Sequence, residues 1–167
     1  NPFLGYLNSA IPSATIDRVP TLNLRSSKVE LGDVIVGVSA QGDMCASNLG
    51  GFSLRIKDFA VGNNYLNWQA NGAFIESAEE VCAPVVLNST GYSVGAVEAT
   101  VSIVHDGVNS PTAVSITAYI DYDTDSDGIL NYKDDDDDND EVLDVNDAFP
   151  LDASESVDTD GDRTGNN

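Results

Sequence analysis

Aspartates recur at alternate positions through the last third of the chain, and carboxylates in that spacing followed by a turn suit a hard divalent cation. Calcium takes six to eight oxygen ligands, which a twelve-residue loop supplies from positions 1, 3, 5, 7, 9 and 12, the seventh through its backbone carbonyl. The segment DTDSDGILNYKD puts Asp123, Asp125 and Asp127 at 1, 3 and 5 and Gly128 at the sharp turn of position 6. Ile129 then offers the carbonyl, Asn131 holds position 9 and Asp134 position 12. Thirteen residues on, DDDNDEVLDVND repeats the register with Asp136, Asp138, Asp140, the Val142 carbonyl, Asp144 and Asp147. Glu141 stands where the first loop has glycine, at a position that favours positive φ, so strain is expected there. A third stretch, DTDGDRTGNN, supplies Asp158, Asp160, Asp162, the Thr164 carbonyl and Asn166, and stops short of its twelfth position. A longer parent chain or a neighbouring subunit is expected to complete it. The spacing predicts several calcium ions, three or more, bound between 121 and 167.

Charge follows the same division. Residues 1–120 carry 10 acidic and 5 basic side chains, whereas 121–167 carry 18 acidic and 2 basic, within an overall net charge of -21. Such a surface repels nucleic-acid phosphates and anionic lipid, so neither is expected as a partner. A solvated, disordered acidic tail is the competing reading. It does not account for the strict alternation of Asp, nor for Leu130, Leu143, Phe149 and Leu151 set between the loops as a small packing group. A segment this polar cannot offset a conformational entropy of ~1–2 kcal/mol per residue by apolar burial. The tail is therefore predicted to fold only with its ions.

The elements ahead of the tail read as strands. Val34, Val36 and Val38 alternate within 28–39, and Phe52, Leu54 and Ile56 before Asp58. Val97, Ala99, Val101 and Ile103 follow within 94–104, then Val114, Ile116, Ala118 and Ile120 against outward Ser115, Thr117, Tyr119 and Asp121. Asp106-Gly107 and Asn109-Ser110-Pro111 are turn chemistry between the last two strands. One helical turn is placed near 76–81. The fold class is all-β. Cys45 and Cys82, 37 residues apart, belong to no CxxC or Cys/His pattern. One disulfide is the simplest reading, and two reduced, buried thiols in a reducing compartment are the alternative. No run of 18 apolar residues is present, so membrane insertion is not expected. Without a basic-then-apolar leader, the chain is read as a mature secreted form or a fragment.

Residues 1–19 form an N-terminal arm with Phe3, Leu4, Tyr6, Leu7, Ile11 and Ile16, expected to fold on its own sandwich or to add a strand to a neighbouring copy. No catalytic residue is assigned, and the chain is not read as an enzyme. His105 lacks a nucleophile pattern around it and is read as a strand-end surface residue, while calcium-bound carboxylates stay ionised and are poor general acids. Trp68, Tyr65 and Tyr92 are read as core, with a sugar-stacking platform as the alternative. Asn88-Ser89-Thr90 is one glycosylation sequon.

Two resemblances extend this. The runs PTLNLRSSKVELGDVIVGVSAQ, FSLRIKDFAV and CAPVVLNSTGYSVGAVEATVSIVHDGVNSPTAVSITAYI make 20–120 similar to immunoglobulin-like domains of the abnormal-spindle/hydin type, as in bacterial secreted proteins labelled choice-of-anchor D. The shared pattern is a Leu31-Gly32-x-Val34-x-x-Gly37 turn, a Cys before a Pro-containing strand, a Gly before the penultimate strand and a Ser-Pro turn before the last. It implies a β-sandwich for packing and presentation with no active site. Residues 121–167 resemble thrombospondin type 3 calcium repeats, in which the chain wraps a row of ions in place of a hydrophobic core. That resemblance implies an irregular module with little regular secondary structure. It adds Asp121, Asp135, Asp137, Asp152 and Glu155 as ligands bridging neighbouring sites.

The resulting expectation is a non-enzymatic, extracellular or cell-surface calcium-binding structural protein. It would be a subunit or module of a fibre or adhesin that self-associates head to tail, with calcium stiffening the joint. The alternative is a polysaccharide-binding accessory module of a secreted enzyme, with a surface glycan as ligand.

Overall fold

β-Branched and aliphatic residues at every second position give strands with one apolar face, and two such sheets must close on each other to bury it. The computed structural model describes residues 19–60 and 65–165, so the N-terminal arm lies outside the described residues except for Val19. The strands are β1 (Leu22–Leu24), β2 (Lys28–Ile35), β3 (Ser39–Asn48), β4 (Leu54–Ala60), β5 (Leu66–Trp68), β6 (Phe74–Ile75), β7 (Glu80–Asn88), β8 (Gly95–His105) and β9 (Thr112–Asp121). They form one sheet in the order β1-β3-β7-β5 and another in the order β2-β9-β8-β4-β6. Leu22, Met44, Ala46, Trp68, Val85 and Leu87 of the first sheet pack against Leu54, Ile56, Phe59, Val101, Ile103, Val114, Ile116 and Ile120 of the second. The all-β expectation holds.

Several local readings shift. Val38 lies in the turn after β2, and Phe52 precedes β4; both are exposed because neither reaches the sheet interface. The expected helical turn near 76–81 is a tight turn with Ala78 at φ 63°, whose amide donates to the Asn48 carbonyl at 2.9 Å, and β7 starts at Glu80. His105 ends β8 as expected but is buried rather than at the surface. Its Nδ1 accepts the Gly107 amide at 3.1 Å, so the ring proton sits on Nε2, 3.0 Å from Thr112 Oγ1. Burial pushes its pKa down. Trp68 is wholly buried, with Nε1 donating to the Ala83 carbonyl at 3.2 Å, so it belongs to the core and not to a sugar platform. Cys45 and Cys82 are opposed across the β3–β7 ladder and joined by a disulfide. Closing a loop of that length stabilises a fold by about 4 kcal/mol in the chain-entropy account.

Two devices carry the geometry forward to the tail. β2 runs parallel to β9, so the first long strand lies beside the last and ends next to the point where the chain leaves the sandwich: Ile35 is paired with Asp121, and the Val36 amide donates to the Asp121 carbonyl at 2.9 Å. Asp121 itself is the final residue of β9. Within β2, Gly32 adopts φ 71°, and the register with β9 shifts between Glu30 and Asp33. A left-handed glycine at a bulge re-aims the next side chain, here Asp33.

At the other end of β3, Asn48 is fully buried. Its Oδ1 accepts the amides of Gly50 (2.9 Å) and Thr21 (3.3 Å), and its Nδ2 donates to the carbonyls of Phe52 (2.6 Å) and Ile75 (3.0 Å). This one side chain ties the segment before β1, the loop after β3 and strand β6. Asn48→Ala should cost about 3 kcal/mol by urea unfolding, because it strands backbone groups away from water. A loss below about 1 kcal/mol would show that water replaces the amide.

Candidate metal centre

The three Asp triplets read from the sequence converge in space. Carboxylate oxygens of Asp123, Asp125 and Asp127 lie within 4.8 Å of one another, as do those of Asp136, Asp138 and Asp140, and those of Asp158, Asp160 and Asp162. A repeated backbone wrap brings them together. In each loop the fourth and sixth residues are left-handed: Ser126 and Gly128 (φ 67° and 95°), Asn139 and Glu141 (60° and 77°), Gly161 and Arg163 (75° and 67°). The fifth-position carboxylate then accepts the seventh-position amide, as Asp127 from Ile129 (2.7 Å), Asp140 from Val142 (2.7 Å) and Asp162 from Thr164 (2.8 Å). The chain curls around a point, with amides on the far side of the carboxylates. Regular structure in the tail is limited, among the described residues, to a 3-10 turn at Asp144–Asn146.

Position 9 acts first as a clamp. The Thr124 amide donates to Asn131 Oδ1 at 3.1 Å, and the Asp137 amide donates to Asp144 Oδ1 at 3.0 Å. The backbone repeats the match, Asn131 N to Tyr122 O and Asp144 N to Asp135 O, both 2.9 Å. Position 12 repeats as well: Asp134 Oδ1 accepts the Asp136 amide at 3.1 Å, and Asp147 Oδ1 the Phe149 amide at 2.7 Å. The remaining residues scatter. Asp135 is exposed, and Asp152 accepts the Ser154 amide and hydroxyl, bonds that lower its pKa. Glu155 folds against Gly165, where a Cβ would run into its carboxylate, and so flanks the third loop. Asn166 lies outside the described residues.

A cation is a chemical fit for the second loop. An ionised carboxylate is acceptor-only, and burying one of its oxygens without a donor is costly. Asp136 Oδ1, Asp138 Oδ2 and Asp147 Oδ2 are all buried without a hydrogen-bond partner, and Asp138 is only 7% exposed. The first loop contributes Asp123 Oδ1 in the same condition. Within the second loop, Asp137 Oδ1 is also buried and unpartnered. Burial, reinforced by Asp144, Asp134, Asp121 and Asp138, pushes Asp137 up to about 6, and burial raises Asp138 too. A proton is the only relief these groups have on their own; a divalent ion relieves several at once. Asp136, Asp138, Asp140 and Asp147 would hold such an ion. Oxygen-only donors in this number suit calcium over transition metals.

The tail is also fastened to the sandwich, by residues that carried no sequence signal. The Tyr132 hydroxyl donates to Asp33 Oδ1 at 2.7 Å, and the Lys133 ammonium pairs with Asp33 Oδ2. The Tyr132 ring lies 4.0 Å from that of Tyr119 on β9, with Lys133 5.0 Å from the Tyr132 centroid. Lys133 and Tyr132 hold the Asp33 carboxyl below its usual range. Leu130, between Ile129 and Asn131 of the first loop, is buried. The rim of the first loop is thus docked on the β2–β9 edge.

No family model matches the chain, and no curated protein matches it. Solved structures do. A protein of unknown function from Porphyromonas gingivalis W83 is similar over 66% of this chain and 51% of its own, with 14% identity and a TM-score of 0.52. The chain therefore spans about half the length of that protein. The ASH/PapD-like domain 7 of human CEP192 is similar over 72% of this chain and 99% of its own, with 8% identity and a TM-score of 0.50. These define the class by fold: an immunoglobulin-like, PapD-like β-sandwich. No helix among the described residues is long and apolar enough to cross a membrane.

Glu141 carries the cost of the second wrap, since a non-glycine residue at φ 77° is disfavoured by about 1 kcal/mol. Glu141→Gly should tighten calcium binding at that loop roughly fivefold by calorimetry, about 1 kcal/mol. Unchanged binding would mean that the ion does not depend on this wrap.

Proposed function

We propose that this is a non-enzymatic, secreted calcium-binding structural protein, a module or subunit of an extracellular fibre or surface adhesin in which calcium stiffens the joint between sandwich and tail. The observation that carries the reading is the set of buried, unpartnered carboxylate oxygens on Asp136, Asp138 and Asp147. They make ion binding and folding of the tail one event. The tail then acts as a rigid extension of the sandwich, because its first loop is anchored through Tyr132 and Lys133 to Asp33. The disulfide and the demand for calcium both suit an oxidising, calcium-rich exterior. Thrombospondin type 3-like wrapping, the bridging roles of Asp121 and Asp137 and head-to-tail self-association belong to the same reading. Exposed Leu49, Phe52 and Val108 around one end of the sandwich, and Val145, Leu151 and Val157 along the tail, support contact with a further copy.

The test is to add and remove calcium while following circular dichroism, protease resistance and electron micrographs. Calcium should protect the tail beyond about residue 121, and chelation should open it to protease and disperse any filaments. A tail equally resistant in both conditions would sink the reading.

A further inference from the structure

We infer that the first two loops form a coupled pair, in which the second is the tight, first-filled calcium site and its Asn139 is a positioning residue for Asp125 of the first. This rests on the calcium reading above and goes on to the order and coupling of the sites. The order follows from burial. The second loop holds four unpartnered buried oxygens, on Asp136, Asp137, Asp138 and Asp147, and the first holds one, on Asp123. Asp160 and Asp162 of the third are exposed. An ion gains most where ligands are already stripped of water and aimed inward, and least where water must first be displaced.

The coupling runs through a single side chain. Asn139 sits at the fourth position of the second loop, held at φ 60° with its amide donating to the Asp136 carbonyl at 3.2 Å. From there its Nδ2 reaches into the first loop and donates to Asp125 Oδ2 at 2.9 Å. The other Asp125 oxygen accepts the Asp127 amide at 3.0 Å. Asp125 is therefore oriented from one side by its own loop and from the other by its neighbour. A ligating carboxylate held by an outer hydrogen bond binds its ion more tightly, and that bond exists only while the second loop is wrapped. Filling the second site pre-orients a ligand of the first, and by linkage filling the first tightens the second by the same factor.

Asn139→Gly isolates the amide from the backbone, because glycine adopts φ 60° freely and keeps the wrap. The full chain is titrated with calcium by calorimetry and with terbium by luminescence, which Tyr122 beside the first loop and Tyr132 within it sensitise. In Asn139→Gly the tight calcium class should stay in place, while half-saturation of the first loop rises roughly five- to tenfold. Asp138→Asn should abolish the tight class and weaken the terbium response of the first loop; Asp125→Asn should remove only the weaker class. Wild-type behaviour in Asn139→Gly, or an unaltered terbium response in Asp138→Asn, would overturn the coupling. Loss of the tight class in Asp125→Asn would overturn the order. A wild-type chain that takes up no calcium would remove the calcium reading itself, and this pairing with it.

Discussion

Like charges held a few ångströms apart repel, and the tail of this protein is built from that repulsion. Three triplets of aspartate are folded so that their carboxylates point inward while backbone amides cover their outer oxygens. Amides satisfy some lone pairs and leave the inner ones bare, most severely at Asp138. Positive charge would relieve such an arrangement, and a cation held there would take the place of a core. The left-handed residues that recur at the fourth and sixth positions follow from the same need, because only that curl brings alternate side chains to one centre.

The sandwich supplies what the tail lacks, a scaffold that folds by apolar burial and needs no ion. Its disulfide and the buried Asn48 network tie strands and loops independently of the acidic segment. The parallel pairing of β2 with β9 and the bulge at Gly32 set Asp33 beside the chain's exit, where Tyr132 and Lys133 reach it. The tail is thereby joined to the sandwich through one carboxylate and an aromatic pair.

The last two long strands were legible because Val97, Val101, Ile103, Val114, Ile116 and Ile120 keep a strict period of two on a face that is buried. β3 was not, because Met44, Cys45 and Ala46 are buried in succession and leave no alternation to read. The Asp triplets were legible as ligand sets because each loop carries its own carboxylates within a few residues. Strain at Glu141 was legible from the missing glycine, whereas the left-handed Ser126 and Asn139 were not, since nothing in their types demands that conformation. Asp33, Tyr132 and Lys133 come together across about a hundred positions of sequence, and no local pattern reports contacts made at that distance. Trp68 was legible as a core residue from its type, and its burial removes it from any surface platform.

The central claim is that an ion sits among Asp136, Asp138, Asp140 and Asp147. An anomalous difference map from crystals grown with calcium and then exchanged into terbium tests it most directly. The account predicts a peak bonded to Asp138 Oδ2 at about 2.3–2.6 Å, the range for oxygen ligands of calcium-like ions, with the other three carboxylates around it. A map with no peak there, and with Asp138 turned out to water, would contradict it.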